Sequence, residues 1–380
     1  MKPASRSSED HATLDPRFAP ACQILKDAIA ARAFPGCAFG VLVENSVVLQ
    51  KALGRFTYED GARAVNPETI YDIASLTKVV ATTAAAMLLY QRNQLDLDTP
   101  LGELLPGFIV GRSSVEHARR VTLRHLLAHS SGLPGYVPLF NTVDSPAALF
   151  RALLQLPIEV EPGTRAEYSD PGFILLGKAL EVLTREYLAP WIRRELYDPL
   201  GLRSTGFCPP AELRPSIPPS EEDMTFRRRR IQGEVQDEHA WLLHGAGGHA
   251  GLFSNVPDLL RFAQTIRTGL SPLATAPRGP SPFQSHAIEA FSQRQPPAGS
   301  TRALGWDTPS ADSSAGSAFS THSIGHLGYS GCSLWIDLDA RIAVVLLTNR
   351  TWPDRSSQLI RQVRPAFHNA IRQALNAPVS

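Results

Sequence analysis

The chain has 380 residues, of which 43% are apolar, and a formal net charge of +1. That length can enclose a large hydrophobic core, and the charge balance excludes the concentrated basic surface that a nucleic-acid backbone requires. Four cysteines, Cys22, Cys37, Cys208 and Cys332, are widely spaced without a C-x-x-C pair, so the pattern points to buried thiols in a reduced compartment, not to a zinc ribbon or a disulfide scaffold.

Residues 1–18 are polar and charged and are expected to be mobile. They lack the apolar stretch of a secretory signal, and no run approaches the roughly 20 apolar residues of a membrane span. The expectation is a cytoplasmic protein with a small-molecule substrate and neither membrane nor nucleic acid as partner. Over 19–33, Cys22, Leu25, Ile29 and Ala33 recur at helical spacing, and Pro35-Gly36 closes the helix. Strands at 37–43 and 47–53 flank the polar turn Glu44-Asn45-Ser46, a hairpin signal.

The stretch 71–91 carries the first chemical signal. Asp72 can cap a helix that continues through Ala, Leu and Met, and Ser75 and Lys78 stand three residues apart on one face of it. The helix dipole at that end favours a neutral lysine able to take the serine proton. Alone, Ser-x-x-Lys is a weak motif, because a lysine there more often faces water.

A loop at 94–107 leads to a helix at 121–128 that starts at Thr122. His125 and His129 are spaced i, i+4 and resemble half of a zinc site, but no third ligand stands nearby; ordinary structural hydrogen bonds are the expected role, and neither metal nor cofactor is expected. Helices follow at 147–156 and 172–187, the second behind Tyr168-Ser169-Asp170-Pro171. Residues 209–230 are rich in Pro, Ser and charge and read as a surface excursion, with Arg227 to Arg230 a solvated run. Glycines 245, 247, 248 and 251 surround His249 without either phosphate-loop pattern, which suggests tight backbone packing near a site. A helix at 256–268 follows, and 270–300 and 308–320 read as connections. Strands at 332–338 and 341–348 flank Asp339-Ala340, and 354–375 has helical periodicity with a kink expected at Pro365.

Strands at both ends with helices between them imply an α+β fold: an antiparallel sheet of five or more strands flanked by helices, with an inserted all-helical region. The expectation is a single catalytic domain over 19–378, its sheet part at about 19–73 and 245–378 and its helical part at about 74–244.

Three motifs fall in order: Ser75-Leu76-Thr77-Lys78, Tyr168-Ser169-Asp170 and His326-Leu327-Gly328. With Thr122 to Leu133 and the strand ending Leu347-Thr348-Asn349-Arg350, they resemble the serine β-lactamase and penicillin-binding-protein superfamily, in its class C-like branch. Gln236-Asp237-Glu238-His239-Ala240 and Gly247-Gly248-His249-Ala250-Gly251-Leu252-Phe253-Ser254 are similar to the N-acetylmuramyl-L-alanine amidase and low-activity penicillin-binding-protein subgroup. That subgroup usually has His-Asp-Glu-Asn-Ala where this chain has Gln236 and His239 at the first and fourth places.

The resemblance implies Ser75 as nucleophile, Lys78 as its base and Tyr168 as proton relay to the leaving group. It implies an oxyanion site from the N–H groups of Ser75 and Tyr329, with Gly328 letting the substrate backbone come close. His326 stands where penicillin-recognising relatives keep a lysine and Leu327 where they keep a hydroxyl residue, which disfavours efficient β-lactam hydrolysis. Asp170 replaces an asparagine, and an aspartate near Lys78 would stabilise the ammonium and raise its pKa, against a neutral lysine base: either the proton path runs mainly through Tyr168, or Asp170 orients substrate N–H groups. Asp237 and His249 are candidates for the cleft border. The implied activity is that of a serine amidase or peptidase on cell-wall-derived amides. A promiscuous carboxylesterase or weak β-lactamase and a non-turning-over penicillin receptor are the alternatives.

Overall fold

Alternating apolar residues in the two terminal thirds of the chain form one antiparallel sheet in the computed structural model, which describes residues 15–112, 115–270 and 281–376. Of the segment 1–18 expected to be mobile, residues 1–14 lie outside the described residues, whereas Pro16–Phe18 form a 3₁₀ turn capped by Asp15 that buries Phe18, against that expectation. The strands are β1 (Gly36–Val43), β2 (Ser46–Gly54), β3 (Ser323–Leu327), β4 (Ser333–Asp337) and β5 (Ile342–Thr348), in the spatial order β2-β1-β5-β4-β3. The N-terminal hairpin therefore pairs directly with the last strand, Gly40 opposite Val345.

The two-residue period sorts side chains between two cores. Ala38, Leu42, Ala343, Val345 and Leu347 face the larger one, whereas Phe39, Val41, Val344 and Leu346 face the other. The second core is closed by α1 (Ala19–Ala30) and the terminal helix (Ile360–Asn376), whose Phe367 meets Phe39 edge-on at 5.6 Å. Burying an aromatic of this size stabilises the fold by about 1.5–3 kcal/mol, so this pair fixes the terminal helix onto the sheet. Pro365 lies inside the terminal helix, as expected from the sequence.

On the first face pack the helix Val256–Gly269 and the helical region, including α2 (Ala84–Gln91), α3 (Leu123–Leu127), α4 (Pro146–Leu154) and α5 (Asp170–Thr184). Among the described residues no helix is long and apolar enough to cross a membrane.

Two expectations need correction. Residues 285–292, read as connection, form a helix (Ser285–Ser292) that buries Ala287, Ile288 and Phe291. The excursion at 209–230 is in part a two-stranded ribbon, Pro219–Asp223 against Arg229–Gln232, with Glu221 and Asp223 buried. Its charges are paired: Asp223 accepts the N–H groups of Thr225, Phe226 and Arg227 and faces the Arg227 guanidinium at 3.3 Å, and Arg355 reaches Glu221 at 2.7 Å. A buried charge survives when its partners are built in, and one of them lies 134 positions away.

Candidate active site

The segment after residue 72 is wound more irregularly than one helix. Ala74 takes a left-handed φ of 48°, a 3₁₀ turn spans Ala74–Leu76, and a π-helical stretch runs over Lys78–Thr83 before α2 begins. Asp72 holds the entry by accepting the Ala74 N–H at 2.9 Å. The π stretch has an identifiable cause, since the Val80 carbonyl accepts the Tyr197 hydroxyl at 3.1 Å and Thr82 Oγ donates to Gly248 O at 2.5 Å. Strain of this kind gathers where side chains must be aimed. Here it leaves Ser75 half-buried with its Oγ 3.1 Å from the fully buried Lys78 Nζ.

Lys78 is held on three sides. Its ammonium donates to Ser75 Oγ, to Asp170 Oδ1 at 2.6 Å and to the His249 carbonyl at 3.1 Å. Burial opposes its charge, but Asp170 and Tyr168 facing it raise its pKa above the ordinary lysine value. This reverses the expectation of a neutral lysine: the carboxylate facing it outweighs the helix end, and the resting site holds an ammonium. Burial and Asp170 likewise raise the Tyr168 phenol, against the opposing pull of Lys78 and of hydrogen bonding to Lys78 and Ser75.

Tyr168 is positioned by a platform of earlier residues. His129, at a left-handed φ of 55°, accepts the Ser169 N–H on Nδ1 at 3.0 Å, and its ring lies against Tyr168 at 4.7 Å and Phe173 at 4.9 Å. Ser169 caps α5 by accepting the Gly172 N–H while donating to Pro134 O. His125 instead closes a capping box with Thr122. The two histidines thus point to different partners and do not share a site.

The opposite wall is the edge of the sheet. A pocket of about 430 Å³ is lined by Ser75, Tyr168, Arg302, His326, Leu327, Gly328 and Tyr329, among others. Gly328 is needed for a reason other than substrate approach: a Cβ there would lie 2.4 Å from the Ile73 carbonyl, so the edge closes onto the segment that carries Ser75. Ser330 Oγ reinforces this by donating to Asp72 O at 2.8 Å. Arg364 donates to the carbonyls of Gly328, Gly331 and Cys332, and Arg350 to that of Tyr329.

His326 supplies no cation in place of the lysine. Burial, with Lys78 and Arg302 nearby, pushes its pKa well below the usual histidine value, so the imidazole is neutral. Cations line this wall instead, among them Arg361 and Arg302, the latter left unassigned by the sequence reading between the connections at 270–300 and 308–320. The Arg302 guanidinium lies 5.3 Å from the Tyr168 ring centroid and 3.8 Å from Asp307.

Behind Lys78, the glycine-rich stretch packs as expected. A Cβ on Gly248 would meet the Phe173 carbonyl at 2.3 Å, so only glycine allows this approach to α5. The contact turns the His249 carbonyl to Lys78, and the His249 ring Nε2 lies 2.8 Å from Asp237 Oδ1. Asp237 also caps the Ala240 N–H. Although burial opposes its charge, the facing His249 holds the Asp237 carboxyl well below its ordinary range. His239 joins this pair: ligand atoms of Asp237, His239 and His249 all lie within 4.8 Å of one another. The sequence signal for His239 was present in its replacement of the usual asparagine, but its meaning depends on His249, ten positions on.

A half-buried serine bonded to a lysine, a phenol beside both, and an antiparallel sheet edge closing the cleft define a serine hydrolase of the β-lactamase and penicillin-binding-protein type. Comparison with known proteins gives the same answer: residues 22–365 match the family described as "Beta-lactamase", and the chain belongs to that family. A relative from Salmonella typhimurium (strain LT2), named "Putative D-alanyl-D-alanine carboxypeptidase", is 28% identical over 347 residues, covering 83% of this chain and 79% of its own. Among solved structures, EstCE1, "a hydrolase with promiscuous acyltransferase activity", superposes with a TM-score of 0.72 at 23% identity over 93% of this chain and 99% of its own. The octameric penicillin-binding protein homologue from Pyrococcus abyssi gives 0.65 at 21% identity, covering 88% and 74%. These two likenesses establish the shared fold, and the resemblance read from the three motifs is borne out at the level of the superfamily.

Proposed function

We propose that the protein hydrolyses a small amide that bears a carboxylate, of the kind released in cell-wall turnover, through an acyl-serine formed on Ser75. The observation that carries this reading is the Lys78 ammonium bonded at once to Ser75 Oγ and Asp170 Oδ1, with Tyr168 against it. Because Asp170 keeps Lys78 charged, the base is the Lys78–Tyr168 pair after it has lost one proton, and the phenolate is its acceptor.

Ser75 Oγ bonds to the acyl carbon as its proton passes to Tyr168. The N–H groups of Ser75 and Tyr329 receive the developing oxyanion. The C–N bond then breaks as the phenol returns that proton to the departing nitrogen, and water repeats the sequence to release the acid. Arg302 supports a carboxylate on the substrate, since a guanidinium beside the cleft pairs with it in a fixed, two-pronged geometry. The name of the Salmonella relative supports the same substrate class. The neutral His326 and the apolar Leu327 support slow β-lactam turnover.

The test is to label the protein with an active-site phosphonate, map the adduct, and assay acyl-dipeptides, muropeptide amides, esters and a cephalosporin. The expected result is an adduct on Ser75, with multiple turnovers fastest on amides that carry a free carboxylate. An adduct elsewhere overturns the mechanism. Stable acylation without turnover establishes a receptor, and preference for uncharged esters overturns the substrate class.

A further inference from the structure

The acyl-serine chemistry leaves the group behind Lys78 unexplained. Asp237, His239 and His249 bring one carboxylate oxygen and two imidazole nitrogens within 4.8 Å of one another. The Asp237–His249 contact alone accounts for a hydrogen-bonded dyad. His239 is not part of that dyad, and its Nε2 is buried without a hydrogen-bond partner among the described residues. A buried polar atom left unpaired is costly and calls for a reason.

The surroundings fix the ring. Tyr136 and Phe140 meet His239 edge-on, with centroids 5.8 and 5.4 Å away, and the His249 ring faces it at 6.4 Å. Asp237, a quarter exposed, is the only one of the three open to solvent. Three ligands of which two are imidazoles, pre-oriented by aromatic walls with one side open, match the donor set of a three-ligand transition-metal site that keeps a position free.

We propose that Asp237, His239 and His249 bind one divalent transition metal, with Zn²⁺ the best fit to two imidazoles and a carboxylate. The site is distinct from the nucleophile but shares His249 with it, since the same residue turns its ring to the metal and its carbonyl to Lys78. The inference goes beyond the proposed hydrolysis, in which no step passes through a metal, and it stands or falls separately.

The experiment uses the full chain after metal depletion, titrated with Co²⁺ followed by visible absorption and with Zn²⁺ followed by calorimetry. The expected result is one equivalent bound, with the intense visible bands of a low-coordinate cobalt site, and a Zn²⁺-dependent rise in melting temperature. His239→Asn, which restores the residue usual in the resembling subgroup, should keep the fold and weaken Zn²⁺ binding by more than about a hundredfold, beyond the loss typical of an outer-sphere partner. His249→Gln, checked for folding by circular dichroism, should do the same. Absence of stoichiometric binding to the unmodified chain, or equal binding by His239→Asn, overturns the proposal.

Discussion

The two walls of the cleft both carry charged side chains and use them differently. On the sheet side, Arg364 and Arg350 spend their donors on the backbone carbonyls of Gly328, Tyr329, Gly331 and Cys332, so they shape the wall and leave Arg302 and Arg361 to face the cleft. On the helical side, Asp170 and Asp237 face protonatable groups, Lys78 and His249. A charge whose hydrogen bonds end on the backbone is architectural, whereas one facing another titratable group sets where protons reside.

Removing the hydroxyl between the walls should have the largest effect. Ser75→Ala is expected to lower kcat by about 10⁴- to 10⁶-fold, as for other serine nucleophiles, with an unchanged circular dichroism spectrum; activity near that of the unmodified protein would remove the serine from the reaction. Next comes the sheet wall itself. Arg364→Met withdraws the donors to three carbonyls and should misplace the Tyr329 N–H, lowering kcat about a hundredfold, the order of loss caused by a 1 Å displacement. If kcat holds while only the melting temperature falls, the arginine does not position the edge.

Arg302→Ala sharpens the contrast between a cation spent on backbone carbonyls and one that lines the cleft. It should raise KM about tenfold for a substrate with a free carboxylate, from the loss of one charged hydrogen bond, and leave the methyl ester of that substrate unaffected. Equal effects on both would assign the arginine to the backbone-supporting class.

Asp170→Asn tests the helical wall. Asp170 raises the pKa of both Lys78 and Tyr168, so kcat/KM should rise with pH as the pair loses its proton. Removing the carboxylate lowers that affinity for protons and should move the rising limb toward acid by about one unit. A midpoint that stays put, or moves toward alkali, contradicts the assignment.

β1, β2, β4 and β5 were legible as apolar runs around polar turns, whereas β3 was not read from the residues alone; Ser75, Lys78 and Tyr168 were legible because their spacing is local or sits beside a helix cap. The ribbon at 219–232 was not, since Glu221 and Asp223 read as solvated until Arg355 and Arg227 are seen against them. Arg302 and His239 were hidden for the same reason: each acquires meaning only from a neighbour supplied by another part of the fold. Lys78 shows the converse. Its position was readable from the motif, but its protonation is set by Asp170, 92 positions away.

The strand order has a consequence for the order of synthesis. β1 leaves the ribosome early, yet its second hydrogen-bonding partner is β5, which ends at Thr348. Until then the nascent chain carries an apolar strand edge with nothing against it, the kind of surface that invites pairing with a foreign chain. The turn that completes the cleft, anchored by Arg350 and Arg364, is likewise finished only after those two residues have been made. Nascent chains that stop short of Arg364 therefore lack the wall against which an acyl group would be held, and acylation waits for that residue.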